Sequence, residues 1–432
     1  MLFYRIGMES DSALESSEQR MRKTRARIKE RTIEANEKCK GEMNFFVSDI
    51  QDRKIAVGAA VFVGGKAPNR KELDRGMEQF CEQLELRGKR TGFEEITIGE
   101  FTRMLLSADR RDYIEDDGLY KSEFGMDFID TYCGRKHTEM MIPKPLTKRQ
   151  ALAEANRLLC GASFGPELER IFDPRAPKNF VGHPVHYALV SNDPKLRSSM
   201  RELLLGALLQ SRRLLGKRYC VLSFDPRAPL DEEQLHNAYT SQKGCSLVAS
   251  LTGADNDDGD LPYANTSYEL LAAIASNLAA FRRDTLTILE IRRADERLYR
   301  QLMEELPNIT FVRLDEEIVF NRAARGYLRR LAGKNGVADC TSLLKLLPQA
   351  ESGHLTSDLN TLFDKWYDRY LKTELHVQYR DLAAEGAKRV SKPRGDAYTQ
   401  LMEMAGLQPV KEVILQAIQF HKAQKLFADK GI

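Results

Sequence analysis

Apolar and polar positions change period several times along this chain, and each change predicts an element. Residues 44–50 and 54–63 are apolar runs flanking Gln51, Asp52 and Arg53, the pattern of a hairpin, and Gly64-Gly65 ends the second run. Leu73, Met77, Phe80 and Leu84 then recur at three- and four-residue spacing, which predicts an amphipathic helix over 69–87. A strand near 94–97 and helices near 101–107 and 149–159 complete an α+β region. From 185 onward the pattern becomes α/β. Short apolar or β-branched strands at 185–190, 219–224, 246–251, 285–291 and 309–314 alternate with helices, which predicts a five-stranded parallel sheet covered on both faces. The helix after the first strand carries Leu196, Met200, Leu203, Leu204, Ala207 and Leu208 mainly on one face. Thr266 and Glu269 form a capping box for the helix that follows the third strand. Helical periods continue at 323–332, 342–347 and 359–371. Near the end, Gly406 stops one helix and Pro409 starts another, with Val410, Val413, Ile414, Ala417 and Ile418 on its apolar face.

These patterns divide the chain into five parts: a charged helical arm at 1–42, an α+β domain at 43–178, an α/β core at 179–316, a helical lid at 317–395, and at 396–432 the opening helices of a further module. A hydrophobic content of 42% with 30% charged residues places the chain among globular proteins with real cores. Lys plus Arg number 66 against 63 Asp plus Glu, a net charge of +3, too close to balance to argue for nucleic acid by itself. No apolar run approaches the roughly 18 residues that span a bilayer. An acidic stretch, not an apolar signal core, follows Met1 to Arg5, so a cytoplasmic protein with no membrane contact is expected. Seven cysteines without a C-x-x-C spacing predict reduced thiols. The basic run Arg20 to Lys29 is diluted by neighbouring acids and reads as a solvated helix. Its alternative reading is an arm, residues 20–31, by which a non-enzymatic adaptor would bind nucleic acid or an acidic partner.

Candidate chemistry concentrates at one turn. Residues 185–224 read as strand, turn, helix and strand, the first unit of a P-loop nucleotide-binding domain. A phosphate turn there would be G-x-x-x-x-G-K-[ST], because glycines let backbone N–H groups approach phosphate and the lysine reaches its outer oxygens. The chain instead reads Ser191, Asn192, Asp193, Pro194, Lys195, Leu196, Arg197 and Ser198. Both glycines are gone, and arginine stands at the lysine position. Asp193 suits the N-cap and Pro194 the first turn of the next helix, so a carboxylate takes the positive helix end that would attract phosphate. On the fourth strand, Leu289 stands where a magnesium-holding Asp would be, and Glu290 where a water-polarising Glu would be. Glu290 is the one candidate catalytic residue. Arg292, Arg293, Arg325, Arg329 and Arg330 are candidates for an arginine finger. No metal site is expected: the acidic run Asp255 to Asp260 has Gly259 and Thr266 where a calcium loop needs ligands, and His183 with His186 lacks partners at zinc spacing. His137 reads as an exposed histidine.

The segment around Leu401, Gly406, Leu407, Val410, Lys411 and Glu412 resembles the start of the AAA+ module of the red-type Rubisco activases and stage V sporulation protein K. The resemblance covers about 35 residues well and extends more loosely over 180–395, as a degenerate first AAA+ module with its lid. It implies that Gly406 and Leu407 pack against adenine in a second module. It also implies that Asn192, Arg197 and Ser198 match the asparagine, lysine and first threonine of the family's phosphate loop. The expectation is the regulatory or client-binding part of a tandem AAA+ ATPase with chaperone-like, ATP-driven remodelling activity. Its own module is a pseudo-ATPase, partnered by a second AAA+ module and a protein client, in a homo-oligomer. ATP and magnesium are expected for the whole assembly, and no cofactor for this chain alone.

Overall fold

The computed structural model describes residues 1–11, 28, 30–36, 43–51, 53–62, 70–111, 137–177, 180–223, 232–251, 264–349 and 352–380. The basic run before residue 28, the acidic run Asp255 to Asp260, the side chains of His137, Thr266 and Glu269, and the segment holding Gly406 and Leu407 lie outside the described positions.

The first sheet is antiparallel and four-stranded. Its strands are β1 (Leu2–Ser10), β2 (Met43–Gln51), β3 (Lys54–Val61) and β4 (Gly88–Glu95), in the spatial order β2-β3-β1-β4. Helix α1 (Arg70–Gln83) joins β3 to β4, and α2 (Ile98–Arg111) follows β4. The hairpin predicted at 44–63 is present, with Ile50 opposite Ile55. The charged arm assigned to 1–42 is corrected at its start, because Leu2–Ser10 is an interior strand, paired on both sides. Leu2, Tyr4, Ile6 and Met8 join the core shared with α1, while Phe3 faces the opposite way into a second core. Successive side chains of a strand point to opposite faces, and on the second face of β1 only Phe3 is buried while Glu9 is exposed.

The second sheet has six strands: β5 (His137–Met141), β6 (His186–Val190), β7 (Arg218–Ser223), β8 (Ser246–Leu251), β9 (Leu286–Ile291) and β10 (Phe311–Asp315). Their spatial order is β10-β6-β9-β8-β7-β5. The last five in sequence are parallel, and in space they stand fifth, first, fourth, third, second. β5 pairs antiparallel with β7 at the edge, so the sheet is mixed and not the all-parallel one expected. β6 and β9 are buried along their whole length, as strands covered by helices on both faces must be.

One face packs against helices α3 (Lys148–Arg157), α4 (Gly161–Ile171) and α5 (Pro194–Gln210). The other face shares a core with α2, α6 (Glu232–Ser241), α7 (Ala264–Phe281) and α8 (Glu296–Glu304), and that core includes Phe3, Phe46 and Ala60 of the first sheet. The boundary at 178 is corrected accordingly: β5, α3 and α4 belong with the α/β sheet. Arg218 is fully buried where the two sheets meet. Its guanidinium pairs with Glu139, donates to the main-chain oxygens of Met1 and Ser241 at 2.8 Å each, and lies 4.8 Å from the centre of the Phe3 ring.

Beyond β10 a two-stranded ribbon pairs β11 (Ile318–Val319) with β12 (His354–Leu355). The helices are α9 (Asn321–Lys334), α10 (Thr341–Leu346) and α11 (Thr356–Tyr370). The chain divides into two compact units, residues 1–330 with 348–361 and residues 331–347 with 362–432. Among the described residues no helix is long and apolar enough to cross a membrane. Cys81, Cys160, Cys220, Cys245 and Cys340 are buried and unbridged.

Candidate functional site

The turn after β6 sits at the carboxyl ends of the parallel strands, where ligands bind in open α/β sheets. Register pairs Leu189 with Glu290 and Val190 with Ile291, so Glu290 lies one strand away from the turn. The Ser191 N–H donates to the carbonyl of Ile291 at 3.2 Å, which fixes the turn to β9.

Each residue of the turn is engaged by the protein itself. Asp193 caps α5: its carboxylate accepts from the Lys195 N–H at 2.8 Å, and Pro194 holds the first helical position. Asn360 of α11 donates to the other carboxylate oxygen at 2.6 Å and accepts from the Tyr327 hydroxyl at 2.7 Å. Asn192 accepts from the Arg293 N–H at 3.0 Å through its side-chain oxygen. Arg197 is 6% exposed, and its guanidinium donates back to the Ser191 carbonyl. Burial pulls its pKa down, while the nearby Glu290 and Asp193 carboxylates oppose that pull. The Ser198 hydroxyl accepts from Arg201 at 2.8 Å. Arg201 also pairs with Glu290 and sits 5.6 Å from the centre of the Tyr219 ring. Both members of that ion pair are buried, their side chains 7% and 8% exposed.

The turn therefore brings Asn192, Arg197, Ser198 and Glu290 together in one hydrogen-bonded network, within which the Nε atoms of Arg197 and Arg201 are buried without a partner. A nucleotide phosphate would need backbone N–H groups at the start of α5, yet Pro194 has none and the Asp193 carboxylate covers the Lys195 N–H. It would need a forward-reaching cation, yet Arg197 is folded back on the turn. Magnesium would need a carboxylate where Leu289 is fully buried. The residues present do not fit the phosphates of ATP or their metal ion.

Arg201, Tyr327 and Asn360 are the members of the network that sequence reasoning missed. One signal for Arg201 was present: Arg197 and Arg201 lie one helical turn apart within the apolar stripe of α5. Two cations on a buried face demand a buried anion. The finger candidates separate on inspection. Arg292 pairs with Asp295 at 2.5 Å, Arg293 lies 3.7 Å from both Asp315 and Glu316, and Arg330 donates to the Arg157 carbonyl at 3.0 Å. Arg325 and Arg329 are exposed.

At the opposite end of β6, His183 and His186 are buried with ring centres 6.5 Å apart. The Thr287 N–H donates to His186 Nδ1 at 3.0 Å. Burial pushes the His183 pKa down to about 3, with further lowering by His186 and Arg213, and pushes that of His186 down to about 4. Both rings are neutral in the folded protein. Among the described residues, no group of three or more His, Cys, Asp or Glu side chains forms a metal-ligand set.

A scan of protein-family models finds none that matches the chain, and a search of curated proteins finds no match.

Proposed function

We propose that the α/β module is a pseudo-ATPase of the AAA+ kind. In this reading the chain is the regulatory or client-binding part of an ATP-driven remodelling machine, and hydrolysis belongs to a second AAA+ module. The observation that carries it is the turn at Ser191–Ser198. Its position, after the first of five parallel strands and before a long helix, is that of a phosphate loop. Its contents are a capping carboxylate, a proline and an inward-folded arginine. The spatial order fifth, first, fourth, third, second, followed by helices α9 to α11, supports the same reading. A module of this kind sets assembly geometry and presents the neighbouring four-stranded sheet to a client.

Isothermal titration calorimetry with ATP, in the presence and absence of magnesium, tests it. The expected result is no magnesium-dependent binding in the micromolar range. Micromolar, magnesium-dependent binding would overturn the pseudo-ATPase reading. Sedimentation velocity adds a second arm, because a module that organises an assembly associates with itself, and a monomer at all concentrations counts against that role.

A further inference from the structure

Helix α9 reads Asn-Arg-Ala-Ala-Arg-Gly-Tyr-Leu-Arg-Arg-Leu-Ala-Gly-Lys, with five cations and no acid. The whole chain is nearly balanced in charge, so this bias belongs to the helix. Ala324, Tyr327, Leu328 and Ala332 are its buried positions. Arg322, Arg325 and Arg329 are exposed. At about 100° per residue they fall in one stripe roughly 60° wide, turned away from Tyr327 and Ala324 and bordering Ala332 on one side, and they span about 10.5 Å along the axis.

Among the described residues, no hydrogen bond or ion pair engages any of the three. Other arginines behave differently: Arg292, Arg293 and Arg313 all face carboxylates. Gly326 and Gly333 lie beside the stripe, and a Cβ added at either would meet nothing within 4 Å. The face is cationic, and space is open above its glycines.

We infer that this face of α9 binds the phosphate backbone of nucleic acid without reading its sequence. Arginine forks match phosphate oxygens bidentately, and a stripe about 10.5 Å long reaches two to three successive phosphates. The inference is independent of whether the α/β module binds nucleotide.

The test is fluorescence anisotropy of a labelled oligothymidylate of about 12 nucleotides with the full chain. Three phosphate contacts to a single strand give a slope of about −2 in log affinity against log salt, a loss of about 16-fold between 50 and 200 mM. The triple change Arg322→Gln, Arg325→Gln, Arg329→Gln is expected to weaken binding about tenfold or more at low salt and to flatten the slope. Circular dichroism should be unchanged, because all three side chains are solvent-exposed. The matching Arg→Lys triple keeps the slope and loses part of the affinity. Replacing Arg22, Lys23, Arg25 and Arg27 with Gln leaves binding intact. The inference fails if the wild-type chain does not bind at low salt, or if the helix triple binds like wild type. It also fails if the change at residues 22–27 alone removes binding, or if a labelled polyglutamate peptide of equal charge binds more tightly than the oligonucleotide.

Discussion

Removing the Glu290 carboxylate asks whether the ion pair beneath the turn holds the fold or serves chemistry. Glu290 and Arg201 are both more than nine-tenths buried, so neither can be rehydrated in place when its partner is lost. In Glu290→Ala the Arg201 guanidinium keeps the Ser198 hydroxyl and the Tyr219 ring, but no anion remains paired with it. Breaking a buried pair in this way costs about 3–5 kcal/mol. Replacing both partners with apolar residues of similar volume, Arg201→Met with Glu290→Leu, removes the stranded charge together with the pair. That double variant is expected within about 1 kcal/mol of the native chain, or more stable. In the closed cycle of Arg201→Met, Glu290→Leu and the double variant, the non-additivity is therefore expected to exceed about 2 kcal/mol. Urea unfolding followed by far-UV circular dichroism measures it, and this probe is preferable to fluorescence because the single tryptophan, Trp366, lies in the other compact unit. If Glu290→Ala and the double variant were both within about 0.5 kcal/mol of native, the carboxylate would not be a structural counter-ion and the reasoning would be refuted.

Three further outcomes are expected. Asp193→Ala removes the α5 cap and the acceptor for Asn360, costing about 1–2 kcal/mol; an unchanged urea midpoint would contradict the hydrogen bonds assigned to that carboxylate. The folded-state pKa of His183, about 3, lies below the unfolded value of about 6.5, so the unfolded chain binds more protons between those limits. Its contribution is complete above about pH 6.5 and is lost as pH falls toward 3, about 2–3 kcal/mol by pH 4.5; His183→Gln should flatten this part of the stability profile, and an unaltered profile would show that the ring is accessible to protons. At Gly216 a Cβ would lie 2.4 Å from Leu2, 2.6 Å from the Glu95 carboxylate and 2.9 Å from the Cys245 sulfur. Gly216→Ala should therefore lower stability by about 1–3 kcal/mol through overpacking where the two sheets meet, and a neutral result would mean that this junction is loose.

Much of the α/β architecture was readable from local pattern. Ser246–Leu251 coincides with the predicted third strand, and the remaining four parallel strands agree to within two residues. The reason is that a strand covered on both faces must be apolar throughout, and the cap Asp193-Pro194 marks where the next helix starts. Strand β1 was also legible, since Leu2, Tyr4, Ile6 and Met8 alternate with Arg5, Gly7 and Glu9, but the basic run from Arg20 to Lys29 drew the whole arm into a helical reading. β4 was seen only at its end, because an exposed edge strand of mostly polar residues carries little hydrophobic signal.

The sequence by itself determined most of the order of elements from 185 onward and the helix cap at Asp193-Pro194, because these depend on neighbours a few residues apart. Only the tertiary structure decided that β1 lies inside the first sheet and that β5 closes the second. It alone brought Arg201 to Glu290 across 89 residues and Asn360 to Asp193 across 167. Strand pairing and buried charge are satisfied by whichever partner folding brings near, and the distance between such partners along the chain leaves no periodic trace.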